Sequence, residues 1–559
     1  MNAALHYTVE AFDTSKPKLM GRHAAGEGFL RGYARHAAVD ELICYAKTRE
    51  EFADFEARIA GFAGKPRPCR WIAHHRSEEL AAAGCLVYPA PGLGPLAWQR
   101  RHFGSRSYSL CGTTHTTASN GAMDSIGDMM VAPLQPWDAV ICTSRAVRDM
   151  VAHVHARWGA YLEARFGGHA RAPVQLPIIP LGVECDEFAA SRKTGQARNQ
   201  LRKRLGIAED DVAVLFVGRL SYHAKAHPLP MYLGLAEAGK RTGQRIHLIQ
   251  AGWFANDSIK KSFVEAAKVF CPQVNAVFLD GREPAIRTNV WFAADIFASF
   301  SDNIQETFGL TPVEAMAAGL PVVISDWNGY RDNVRDGLDG ILVPSFMPPP
   351  GAGDVFAYRQ EMNLDDYDHY IGNASQCGGA DVRGAAEAFI ALAGDAALRR
   401  RMGEAGRARA REVYDWRVVV AAYQALWSEL SERRRKDSEV APRPAGEPAN
   451  PLREDPFAVF AGYPSLALGA GTVVAAKSGG GDIDLIRSAY MNTFAGDRLA
   501  PLPEIKAMLA RIAAEGPLVV GKLLDGVSPD RHGLVLRSLG WLGKMGLVAF
   551  EGLTPKPPE

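Results

Sequence analysis

The chain has 559 residues, 47% hydrophobic and 22% charged, with a formal net charge of +1. That length exceeds what one hydrophobic core covers, so more than one domain is expected, and the charge balance argues against a strongly electrostatic partner such as nucleic acid. Eight cysteines without a C-x-x-C pair offer neither a zinc site nor a disulfide framework, so reduced thiols in a cytoplasmic setting are expected. The first residues lack a charged segment followed by an apolar core, and no apolar run approaches a membrane span; membrane contact is expected to be at most peripheral, at the inner face.

From about residue 5 to 200, apolar strand-like runs alternate with helical patterns, as in a parallel α/β layer. The segment Met20 to Phe29, MGRHAAGEGF, reads as a small-residue loop before a helix; small residues let a backbone come close to a ligand. The strand-like SYSLCGT delivers His115 at its carboxyl end, where open α/β sheets collect functional groups. A lone histidine is also what a structural loop residue would look like. Trp137 to Ser144 and Ile178 to Val183 read as scaffold closing the first domain, residues 1–205.

A second domain is expected over 206–432. Its first strand, Val212 to Val217, runs into Gly218, Arg219 and Lys225. An arginine fork and a compact lysine charge at a strand end suit a diphosphate, although two surface cations would read alike. His223 and His227 flank Lys225, but Pro228 makes this a loop with no third metal ligand, so no metal is expected. Further strands are expected at His247 to Ala251, Ala276 to Leu279, Ile296 to Phe297 and Pro321 to Ile324. Between the last two, Glu306 lies on a loop and Glu314 on the first turns of a helix opened by Thr311-Pro312 and ended by Gly319. Two ionised carboxylates facing one ligand accept hydrogen bonds from its hydroxyl groups. A solvated first-turn acid and an exposed loop residue would give the same letters.

Residues 346–380 read as an insertion or ragged loop, with Asp366-Tyr367-Asp368 as surface acids; Asp482-Ile483-Asp484 is read the same way. Long amphipathic helices follow to about residue 430. Residues 433–455 are charged and proline-bearing, hence a linker. Over 456–559 the order helix, Gly516-Pro517, helix, Ser528-Pro529 cap, helix and short strand suggests a winged-helix-like module. From Pro456 onward ten Lys/Arg oppose nine Asp/Glu, a net of +1, so a protein partner or homodimer contact is expected there and no nucleic acid.

The run Glu314 to Val323, EAMAAGLPVV, with the Glu306-x7-Glu314 pair, resembles the signature of retaining glycosyltransferases of the GT-B fold, family four (group 1). The resemblance covers roughly residues 1 to 430; Asn328-Gly329 and Asp332 stand where the family shows Gly-Gly and Glu, and Leu181 where it shows asparagine. It implies α/β architecture, with two Rossmann-like domains facing a cleft. It further implies hexosyl transfer with retention from a nucleoside-diphosphate sugar, without metal or other cofactor. On this resemblance the catalytic set is His115, Glu306, Arg219 and Lys225, and the donor-binding set is Gly26, Gly309, Leu310, Thr311 and Glu314. The acceptor, a glycan, lipid-linked molecule or protein, is expected against loops 74–107 and 116–133. Alternatives on the same fold are a phosphorylase, a nucleotide-sugar epimerase, or a non-catalytic scaffold acting through the C-terminal module.

Overall fold

Strands form where short apolar runs are buried on both sides, as Leu42–Ala46 is along its whole length. In the computed structural model, which describes residues 1–14, 21–192, 196–464, 467–479, 481–494 and 496–551, six such runs make a first parallel sheet. They are β1 (Ala4–His6), β2 (Leu42–Ala46), β3 (Cys69–Ala73), β4 (Cys85–Tyr88), β5 (Ser109–Thr113) and β6 (Ala139–Ile141), in the order β3-β2-β1-β4-β5-β6. A second parallel sheet holds β7 (Val212–Val217), β8 (Ile246–Gly252), β9 (Asn275–Asp280), β10 (Ile296–Ser299), β11 (Val322–Ser325) and β12 (Gly340–Val343), in the order β12-β11-β10-β7-β8-β9. Counted from its own first strand, each sheet reads third, second, first, fourth, fifth, sixth. This is the doubly wound order, and its direction reverses between the first and fourth strands. The two Rossmann-like domains of the expected α/β fold are therefore present.

Apolar side chains fill both faces of each sheet. The first domain's core is completed from a distance. After a π-helical turn at Ala410–Tyr414, Asp415 caps the helix Trp416–Lys436 by accepting from the Arg417 N–H. Trp416, Val420, Tyr423, Trp427 and Leu430 of that helix are buried among residues of the first sheet. Trp416 occupies a slot made by missing side chains: a Cβ on Gly32 or Gly182 would stand 2.5 or 2.4 Å from the indole.

Two expectations need correction. Residues 346–380 are not ragged. A short strand pair, β13 (Ser345–Phe346) with β14 (Gly379–Ala380), brackets helices Asp354–Glu361 and Tyr367–Ser375. Asp366 caps the second of these by accepting from the His369 N–H at 2.9 Å, while Ile371, fully buried, packs with Ala118 and Ala224 of the two domains. Nor is the small-residue stretch a loop: Gly21–His36 is helical from its first residue, and Met20 lies outside the described residues.

The chain divides into two compact units, Met1–Pro444 and Ala445–Glu559. In the second, helices Leu502–Glu515, Val520–Leu524 and Pro529–Lys544 surround a three-stranded antiparallel sheet. Its central strand, β15 (Val473–Ala476), was not foreseen; β16 (Leu518–Val519) and β17 (Val548–Glu551) flank it. The unit has its own core around Val474, Ile505, Leu539 and Leu542. Among the described residues no helix is long and apolar enough to cross a membrane.

Candidate active site

The second sheet reverses order between β7 and β10, and the crevice beyond their carboxyl ends is where open α/β sheets hold ligands. Two loops meet there. After β7 the chain passes Gly218, at φ +150°, whose carbonyl fits against the missing side chain of Gly252: a Cβ on Gly252 would stand 1.8 Å from the Gly218 carbonyl oxygen. Arg219 then donates to the Ala224 carbonyl at 2.8 Å. Lys225 forms an ion pair with Glu306, which comes from the loop after β10. Glu306 Oε1 also accepts from the backbone N–H groups of Thr307 (3.2 Å) and Phe308 (3.3 Å).

Burial alone would lower the Lys225 ammonium, but the Glu306 carboxylate overrides it and holds it above its ordinary range. Burial likewise opposes charge on Glu306, and the Lys225 ammonium with the two amides holds its carboxyl below the usual range. Arg219 is lowered by burial, against the opposing charges of Asp368, Tyr367 and Glu306. The loop after β7 therefore carries two cations, and the Glu306 carboxylate from the loop after β10 pairs with Lys225.

Gly309, at φ +87°, ends the loop and precedes the helix Leu310–Ala318. Only glycine fits there, because a Cβ would lie 2.1 Å from the Tyr330 ring. The turn leaves the N–H groups of Leu310 and Thr311 at a helix N-terminus, with no acidic side chain in the first turn to answer them. Glu314, one turn on, is half-buried; burial pushes it up to about 7, with Arg287 pulling the other way.

The residues that depart from the family signature hold this loop. Asn328, at φ +47°, donates to the Glu306 carbonyl, and a Cβ on Gly329 would meet the Thr307 carbonyl oxygen at 2.4 Å. Asp332 reaches across the cleft, accepting from the Arg145 backbone N–H at 2.6 Å and from its guanidinium at 2.7 Å. Thr307 is a second crossing point: its carbonyl accepts from Ser144 Oγ at 2.8 Å and its hydroxyl donates to the His115 carbonyl at 2.5 Å. The inserted helix supplies a third, with the Tyr367 hydroxyl 3.2 Å from Thr116 Oγ1 and donating to Gln305 Oε1 at 3.4 Å.

Of the residues singled out in the sequence, Arg219, Lys225, Glu306, Gly309, Leu310, Thr311 and Glu314 belong to the two loops and the helix at this switch point. His115 lies opposite, following β5, and lines a cavity with Gly26, His6 and Thr113. Gly26 is buried on the second turn of its helix, and a Cβ there would lie 2.3 Å from the Ala11 carbonyl oxygen, so its own chain requires the glycine. Gln305 and Thr307 went unrecognised, and Asp366-Tyr367-Asp368 was read as surface acids, whereas the Tyr367 hydroxyl is bonded at the site and the Asp368 charge acts on Arg219. Only their partners, up to 251 residues away for Tyr367, mark them. Among the described residues no group of three or more His, Cys, Asp or Glu could hold a metal ion.

The family described as "Glycosyl transferases group 1" matches residues 197–348. D-inositol 3-phosphate glycosyltransferase of Geodermatophilus obscurus is 29% identical over 280 residues, 48% of this chain and 58% of that protein. Alpha-monoglucosyldiacylglycerol synthase of Streptococcus pneumoniae is 27% identical over 210 residues, 37% of this chain and 42% of that one. The chain thus spans about half the length of the curated relatives it matches. Anabaena Alr3699/HepE, solved in complex with UDP, superposes with a TM-score of 0.49 at 15% identity, covering 77% of this chain and all of that one. The residues that match this family include Arg219, Lys225, Glu306 and Glu314.

Proposed function

We propose that the protein is a retaining glycosyltransferase of hexosyl type, working without a metal, that moves a sugar from a nucleoside-diphosphate sugar to a hydroxyl of a glycan, lipid-linked or protein acceptor. The observation that carries this reading is the convergence of Arg219, Lys225 and the Leu310–Ala318 N-terminus at one switch point. As the bond between the anomeric carbon and the diphosphate oxygen breaks, negative charge gathers on the leaving group. Two cations and two free amides fixed beforehand at that point stabilise it most as the charge develops. They supply the positive charge that would otherwise call for a metal.

Lys225 turning to the diphosphate frees Glu306 to accept from sugar hydroxyls, and Glu314, one turn along the helix, accepts from the ribose diol. His115 faces the sugar from the first domain. Retention follows the family resemblance: the acceptor hydroxyl attacks from the face the diphosphate leaves, and the departing oxygens take its proton. The contacts at Thr307, Asp332 and Tyr367 hold the two domains together over the site, which excludes water from a reactive sugar. The C-terminal unit is proposed as a winged-helix-like docking module, supported by its near-neutral charge and its exposed Tyr490, Met491 and Phe494.

Thermal-shift screening of UDP, GDP, ADP and CMP tests this. A ligand at a hundredfold excess over its Kd stabilises the folded state by about 2.7 kcal/mol, a rise of a few degrees. One nucleoside diphosphate should give that rise with the wild type and lose it with K225A and E314A. Because the diol donates to the ionised carboxylate, affinity should also climb from pH 6 to pH 8 as Glu314 titrates near 7, and E314Q should remove that part of the climb. A well-folded protein that no nucleotide stabilises would sink the reading.

A further inference from the structure

The first sheet has a switch point of its own, between β1 and β4, and the chain lines it with aromatic rings. His6 ends β1, Tyr88 ends β4, Tyr45 comes from β2, and His74 directly follows β3. His6 stands edge-on to Tyr88 with ring centroids 5.0 Å apart and lies 5.3 Å from His74, on which Tyr45 stacks at 4.3 Å. Ser77 fixes the arrangement, donating to the His74 carbonyl at 2.6 Å and lying 2.7 Å from the Tyr45 hydroxyl.

Two polar atoms in this cluster are unanswered. His6 Nδ1 and His74 Nε2 are buried and have no hydrogen-bond partner. Buried polar atoms are ordinarily paired, so a ligand group that pairs them gains what the free protein forgoes. Burial and the neighbouring His74 push His6 down to about 4, and burial lowers His74 as well, so both rings are neutral near pH 7. The charges that act on His74, Glu51 and Lys47, oppose each other. A neutral imidazole offers one donor and one acceptor, as a hydroxyl does, and presents nothing to compensate an anion. His6 also lines the cavity that reaches Gly26, Thr113 and His115, which joins the cluster to the side of the cleft facing the sugar.

We infer that His6, His74 and Tyr88, with the buried Tyr45 stacked behind His74, form the acceptor seat, and that the part of the acceptor it binds is an uncharged, hydroxyl-bearing ring whose face lies on the aromatic side chains and whose hydroxyls pair the two imidazoles. The acceptor role rests on the transferase reading of the second domain; the seat rests on the first domain alone.

The test uses the full chain with 13C-labelled histidine and three probes: methyl α-D-glucopyranoside, myo-inositol and myo-inositol 1-phosphate. A neutral probe should shift the His6 and His74 signals saturably. His74→Phe, which keeps a ring and removes both nitrogens, should abolish the response at His6, and His74→Asn should restore part of it. In transfer assays His74→Phe should raise the KM for that probe about tenfold, with the melting-temperature rise from the nucleoside diphosphate retained as evidence of folding. Imidazole signals that no probe moves, a response to the phosphorylated probe alone, or an unchanged acceptor KM in both His6→Phe and His74→Phe would each overturn the inference. Should the imidazoles respond while no nucleotide stabilises the protein, the transferase reading and the acceptor role fall together and a polyol-binding seat is left. Nucleotide stabilisation with unresponsive imidazoles removes the seat and leaves the transferase reading intact.

Discussion

Behind the Lys225 loop, Asp302 is a carboxyl whose burial favours the protonated form. Its Oδ2 accepts from the His227 N–H at 3.2 Å, its Oδ1 is buried without a partner, and burial pushes it up to about 7. Below about pH 7 a protonated Asp302 leaves Glu306 as the carboxylate that answers Lys225, and no second buried anion there competes with the diphosphate proposed to bind. The consequence for stability has a definite sign. An unfolded aspartate titrates near about 4, so the folded chain holds this proton more tightly and the associated stability is complete below about pH 4. It drains away as pH rises through about 7, by roughly 2–4 kcal/mol in all. Asp302→Asn cannot ionise. It should therefore match the wild type at pH 4 and exceed it by that amount at pH 8 in urea denaturation. A difference that does not vary with pH would show that Asp302 is already charged in the folded protein.

At the level of single elements, the turn at Gly309 does more than end a loop, since it aims the helix amides. Gly309→Ala would force a side chain into φ +87° and against the Tyr330 ring at 2.1 Å, costing at least about 2 kcal/mol. Gly337→Ala, at φ +75° with nothing within 4 Å of the new Cβ, should cost only the backbone part, about 1 kcal/mol. Melting curves separate the two, and the nucleotide shift should weaken in the first variant alone; equal losses would mean that the Tyr330 contact relaxes freely. The same stretch shows which elements could be read from the letters. The bounds of β7 and the glycine closing Leu310–Ala318 follow from an unbroken apolar run and a C-terminal αL residue, both local signals. The inserted helix Tyr367–Ser375 did not announce itself, because prolines and glycines frame it and its single fully buried side chain, Ile371, gains its burial from Ala118 and Ala224. β15 was equally silent: four residues between glycine-rich turns become a strand only by pairing with β16 and β17. The site divided along the same line. Arg219, Lys225, Glu306 and Glu314 stand in a spaced motif, whereas Tyr367, Thr307 and Asp332 owe their places to contacts across the cleft.

For the whole molecule, chain order and folding units do not coincide. The first domain takes its last core layer from residues beyond the second, since Trp416, Val419, Val420, Tyr423, Trp427 and Leu430 sit among first-sheet side chains. The C-terminal unit shares none of that core; its buried set runs from Val474 to Val548. Two truncations should accordingly behave in opposite ways. A chain ending at Pro444 retains every buried cluster of the first unit, so its melting transition should coincide with one transition of the full chain and keep its nucleotide response. A chain ending at Ala410 is shorter by only 34 further residues, yet it loses two tryptophans and the aliphatic side chains that cover β1 and β5. Each large core side chain removed costs about 3–5 kcal/mol, so the sum exceeds the roughly 5–15 kcal/mol by which a domain is stable. Its first domain should then show no cooperative transition by circular dichroism, even though every residue of the first sheet is present. Should that shorter chain melt cooperatively with both sheets intact, the slot formed by Gly28, Gly32 and Gly182 would be a resting place for Trp416, and the return helix would be an appendage to a first domain that folds by itself.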